Sequence, residues 1–170
     1  LIPESQLSVY EFNRLVTDLN GMTKEAFLIA LDANYRIENR ADVAYSPSKE
    51  HHFSMYLDGA FYSLYLRKTA YNFPDALSQL DTQILYTTIL KPLLGITDLR
   101  SNDRIAYSDG KKGMVYVKNQ IDQGPFTVGF GMLPLTVASI KAVADAGQTM
   151  PPKSTFIEPK LRSGITIYEF

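Results

Sequence analysis

The sequence predicts an α+β fold, a mixed and mostly antiparallel sheet with three or four helices, in a single domain over residues 1–170. Three features carry this reading. Asp58-Gly59 sits between two alternating runs, the strongest short-range hairpin signal. Residues Phe126 to Leu133 are apolar almost throughout, which reads as an interior strand. Other stretches place apolar residues at helical spacing, and no repeat, low-complexity segment or linker divides the chain.

Taken in order, Ser8 to Phe12 reads as a first strand, followed by Asn13-Arg14 as a lone polar pair. Asn20-Gly21 is a turn signal, and Thr23 has the chemistry of an N-cap for a helix over Lys24 to Ala33. Ile37 to Glu50 is polar, contains Ser46-Pro47-Ser48, and reads as a loop. A hairpin over Phe53 to Leu66 with a two-residue loop sets Leu57 opposite Ala60, Met55 opposite Tyr62 and Phe53 opposite Leu64, all on one apolar side. Tyr56 then faces Phe61, Ser54 faces Ser63 and His52 faces Tyr65, so turn and burial demand the same register.

Asp75 to Leu94 predicts a long helix that Pro92 ends and Gly95 caps. A short strand over Ile105 to Tyr107, a turn at Asp109-Gly110 and a short helix over Gly113 to Ile121 follow. The glycines at 129 and 131 mark the interior strand as a place of close packing. Leu135 to Ala146 predicts a helix burying Val137, Ile140, Val143 and Ala144, and Ile165 to Phe170 a closing strand. The helices are expected to cover one face of the sheet.

Composition narrows the function classes. A net charge of −1 and a pI near 6.1 argue against a nonspecific nucleic-acid binder. No cysteine means no disulfide, thiolate zinc site or cysteine nucleophile. His51 and His52 are adjacent, so on a strand they point to opposite faces and do not share a metal; surface or edge positions are expected. Asp58, Asp81, Asp98, Asp103, Asp109 and Asp145 are scattered, mostly at turns and caps. No apolar run approaches the ~20 residues a membrane helix needs, no signal peptide is visible, and a cytoplasmic setting without membrane or nucleic-acid partners is expected.

The most constrained and most charged stretch is Met150 to Gly164. Its Lys-Ser-Thr is not a P-loop, because the spaced glycines are missing and a strand-like Thr155-Phe156-Ile157 follows. What remains is a stiff loop offering Lys153, Ser154, Thr155, Lys160 and Arg162 to an anion. The plainer alternative is a structural loop with solvated charges.

Val143-Ala144-Asp145-Ala146-Gly147, the run Met150 to Phe156, Pro159-Lys160 and Ser163-Gly164 resemble the C-terminal signature of a bacterial domain-of-unknown-function family, number 1015. Phe12 to Val16, Leu90 to Ile96 and Phe130 to Pro134 resemble further blocks of it, while Ile157-Glu158 stands where the family often has Phe-Tyr. Full-length members carry an N-terminal part with an Asp-Gly-His-His-Arg stretch, similar to ParB/sulfiredoxin-like free-serine kinases. Glu50-His51-His52-Phe53 lacks that pattern. The resemblance implies a C-terminal domain of a longer protein, with any nucleotide bound through the missing part and the N-terminal domain as partner.

Two readings follow. One is an accessory domain of a small-molecule, serine-like kinase, contributing an anion-binding loop and no catalysis of its own. The other is a structural module that docks on the N-terminal domain or forms a homo-oligomer. Substrate, reaction and catalytic residues are not legible here, and no metal site is predicted.

Overall fold

The computed structural model describes residues 8–159, so the anticipated closing strand at Ile165 to Phe170 lies outside the described residues. Six strands form one sheet: β2 (Phe12–Val16), β3 (Tyr35–Ala41), β4 (His52–Leu57), β5 (Ala60–Leu66), β6 (Ile105–Asp109) and β7 (Val128–Met132). Their spatial order is β3-β5-β4-β7-β2-β6, and every pairing is antiparallel. A second, two-stranded sheet joins β1 (Ser8–Tyr10) to β8 (Phe156–Glu158). Where the sequence predicts one strand over Ser8 to Phe12, the chain changes sheets at Glu11, and Asn13-Arg14 falls inside β2 rather than after it.

The hairpin has the anticipated register throughout: Leu57 faces Ala60, Met55 faces Tyr62 and Phe53 faces Leu64. Asp58 and Gly59 both take positive φ, 47° and 80°, as a tight two-residue turn requires. The Lys24 ammonium pairs with Asp58 at 2.8 Å and ties the turn to α1 (Lys24–Asp32). Thr23 caps that helix by accepting the Ala26 N–H at 3.2 Å, a contact worth about 1 kcal/mol.

Of the polar stretch Ile37 to Glu50 read as a loop, the first five residues belong to β3, the sheet's edge, and residues 42–50 are turn and coil as anticipated. Tyr35 is buried, while Arg36 and Arg40 project from the opposite face, so a one-sided edge strand reads as polar. Arg40 donates to Ser63 Oγ and Tyr65 Oη, each at 2.7 Å.

The long helix anticipated over Asp75 to Leu94 is much shorter. Asp75 and Ser78 close a turn of their own: Asp75 Oδ1 accepts the Ser78 N–H at 2.8 Å, and Ser78 Oγ accepts the Asp75 N–H at 3.1 Å. Helix α2 (Asp81–Leu85) starts only afterwards and widens into a π-helical turn over Tyr86–Leu90. There Thr88 donates to the Ile84 carbonyl at 2.7 Å and meets the buried Tyr35 hydroxyl at 2.6 Å.

Helices cover both faces, not one. The larger core lies where Phe27 and Leu31 of α1 and Ile84, Leu85 and Ile89 of the α2 region meet Phe53, Met55, Val128 and Phe130. On the other face α3 (Gly113–Gln123) buries Met114 and Val117 against Leu15, Tyr56 and Phe61. Strand β7 is buried along its whole length, as its apolar run predicts. Helix α4 (Val137–Asp145) buries Val143 alone, and Ala144, expected inside, is exposed.

Candidate functional site

The stretch singled out by sequence is held from within the sheet. Alternation in β2 sends Arg14 to the same face as Val16, where it packs beside Tyr107 at 5.8 Å and is only 2% exposed. Its guanidinium donates to the Phe12 carbonyl, to Met132 Sδ at 3.2 Å and to the Lys153 carbonyl at 3.1 Å. Burial lowers its pKa to about 10, so it stays charged at neutral pH. Among the described residues no carboxylate lies within ion-pair distance of it, although the Glu11 carboxyl acts on it from farther off. A buried cation of this kind is tolerated when carbonyls take up its donors. The sequence reading passed over Arg14, although Phe12, Arg14 and Val16 share one side of an alternating run.

Around this anchor, Lys153 takes φ 55° and is exposed, with its ammonium 5.7 Å from the centre of the Phe12 ring. Ser154 turns inward, 3% exposed, and donates to the Pro151 carbonyl at 2.6 Å. Thr155 is half-buried. Glu158 pairs with Lys111, whose ammonium also lies 4.3 Å from the Tyr10 ring centre. Lys160 and Arg162 lie outside the described residues. Of the five sequence-predicted site residues, the described part therefore holds Lys153, Ser154 and Thr155 on one loop, with only the lysine fully outward.

Behind the loop, one row crosses the second face of the sheet: Ser63, Ser54, Gly131, Asn13 and Ser108. Ser54 Oγ, Ser108 Oγ and Asn13 Nδ2 are buried without a hydrogen-bond partner among the described residues. Glu11 lies beside this row, its carboxyl pushed above the usual range by burial.

A separate cleft of about 350 Å3 lies between residues 73–81 and the first turns of α4. Asp81, read from sequence as another turn or cap aspartate, is 4% exposed on its wall, and burial pushes its pKa up to about 7. Its Oδ1 accepts the His51 backbone N–H at 2.8 Å. His51 itself sits at φ 65° with its ring stacked on Phe73 at 4.8 Å, and His52 meets Tyr65 edge-on at 4.7 Å. Among the described residues no group of three or more His, Asp or Glu side chains is placed to hold a metal ion.

Residues 1–83 match the family described as Protein of unknown function (DUF1015). The chain resembles the DUF1015 family over that stretch. The DUF1015 match takes in the Phe12–Val16 block, Arg14 and Asp81, and stops before the Leu90–Ile96 block and the Met150–Gly164 run. No curated protein matches the chain. Similar solved structures are a free serine kinase in complex with AMP and two of its mutant forms in the same complex, with TM-scores of 0.43, 0.49 and 0.44. Each is 10% identical, with 89% of this chain aligned, and the chain spans 54% of each of those chains.

Proposed function

We propose that this chain is the non-catalytic accessory domain of a small-molecule phosphotransferase, and that the Lys153 loop supplies cationic contacts to phosphate or carboxylate. One observation supports the anion site above the rest. Glu158 is the only acidic residue between 150 and 159, and it is taken by Lys111. Lys153 has no carboxylate partner among the described residues, while Arg14 holds its backbone from below. The loop is thus an un-neutralised cation, to which Thr155 adds a further donor while Ser154 holds the turn; Lys160 and Arg162 follow it in the sequence. The phosphotransferase part rests on the family resemblance, and nucleotide would bind elsewhere in the longer protein.

The test is thermal unfolding of residues 1–170 in rising phosphate, against chloride at equal ionic strength. Wild type should gain stability, about 1–2 kcal/mol near ten times the dissociation constant. Lys153→Ala should lose most of that gain, and Lys24→Ala, whose lysine is paired with Asp58, should keep it. Equal responses in all three proteins would refute the anion site.

A second reading, a docking module for another domain or a second copy, is favoured by α4, which buries Val143 alone among its nine residues.

A further inference from the structure

We propose that the cleft beside Asp81 binds a small organic cation, a primary ammonium compound, with Asp81 as its counter-ion. The cleft has the volume of a small-ligand site and a mixed wall of the kind such sites use: Phe73, Leu133 and Leu135 are apolar, while Glu50, Asp75 and Asp81 are acidic. No lysine or arginine is among its described lining residues. Asp75 is already engaged by Ser78 and by Gln148 Nε2 at 2.7 Å, so it contributes charge at the rim and no free oxygen.

Asp81 differs. One of its oxygens holds the His51 N–H; the other has no hydrogen bond among the described residues and is not sealed from solvent. A carboxylate in so dry a setting carries a desolvation cost that an arriving cation offsets. Phe73, whose ring stacks on His51, gives that side of the cleft an apolar wall for the ligand's carbon chain. One neighbour acts in the opposite sense. The N-terminus of α4 points its dipole at the cleft, but Thr136 caps it by accepting the Ser139 N–H at 3.0 Å. An organic cation suits the site better than a metal ion, because the described acidic groups do not converge to three ligands.

The inference is independent of the loop proposed above. Its test is calorimetric titration of residues 1–170 at pH 8 with n-butylammonium chloride, using sodium butyrate and n-butanol as probes of the same shape. Saturable binding of the ammonium, and none of butyrate, is expected. Asp81→Asn keeps an oxygen for the His51 N–H and should weaken binding at least about tenfold. Ser139→Leu, which fills the cleft from α4 without touching Asp81, should do the same, while Lys153→Ala should bind as wild type. Absence of saturable binding by the folded wild-type chain, or wild-type affinity in Asp81→Asn, would overturn the assignment. Butyrate binding as tightly as the ammonium would show an apolar pocket in place of a cation site.

Discussion

At the scale of single residues, Asp81 couples fold to pH. In the unfolded chain its carboxyl titrates near 3.8, and in the folded protein near 7, because burial disfavours the charged form. The folded state therefore holds the extra proton. This group's contribution to stability is full below pH ~4 and is lost as pH rises through about 7. The gap from 3.8 to about 7 sets a ceiling of roughly 4 kcal/mol, and structural relaxation should leave about 1–3 kcal/mol. Asp81→Asn cannot ionise, so it should be more stable than wild type at pH 8 and level with it near pH 4. Urea midpoints at pH 4, 6 and 8 measure this; a variant less stable at pH 8 would show that the ionised carboxylate holds the His51 turn at a net gain. Asp81 and Arg14 were both poorly legible in the sequence. Each is a polar residue set in an apolar stripe, Leu80 and Ile84 flanking one and Phe12 and Val16 the other. Whether such a residue is buried depends on what tertiary contacts bring over it.

At the scale of elements, the close approach of α3 to the sheet rests on two glycines of β7. A Cβ on Gly129 would lie 2.3 Å from Val117 Cγ1 and 3.0 Å from Ile121 Cδ1; Val117 is β-branched and fully buried, with little room to move. A Cβ on Gly131 would meet Met114 Sδ at 2.6 Å, a flexible side chain that can swing aside. Gly129→Ala should cost about 1–3 kcal/mol by overpacking. Gly131→Ala should cost clearly less, and urea unfolding of the two variants compares them directly; the reverse order would mean that α3 yields more readily than Met114. The glycines and the hairpin were legible because each is a local rule: a turn dipeptide with matched alternation, and small residues in an apolar run. Strand β3 was not, since Arg36, Glu38 and Arg40 on its outward side mimic a loop. The helix from Asp75 was over-read because helical spacing persists through Leu77, Leu80 and Ile84, while Asp75 and Ser78 spend their side chains on a separate turn. Exposure of Ala144 likewise reflects what lies beyond α4, which periodicity does not report.

At the scale of the whole molecule, the strand order decides what can stand alone. Strand β2 touches only β7 and β6, and β4 touches β7 on the side away from β5. Of the six-stranded sheet, the stretch carrying the DUF1015 match, residues 1–83, therefore holds a three-stranded piece and a lone strand with the space of β7 between them, and its β1 lacks its partner β8. A chain of residues 1–83 should show no cooperative unfolding in urea, whereas residues 1–170 should unfold in one step. A sharp transition in the shorter chain would mean that its strands pair differently without β7. The fold class was legible from the hairpin and the apolar run, yet this order was not, because a strand inserted from 128–132 leaves no mark on the residues around 55.

That insertion has a consequence for how the protein is made. While synthesis has reached only about residue 100, β4 presents a bare edge of His52 to Leu57, a segment of high strand propensity with no charged side chain to discourage another copy from pairing with it. The edge stays open until residues 128–132 emerge and slot in. The nascent chain is thus most prone to self-association during that interval, and slower translation between residues 67 and 127 would lengthen its exposure.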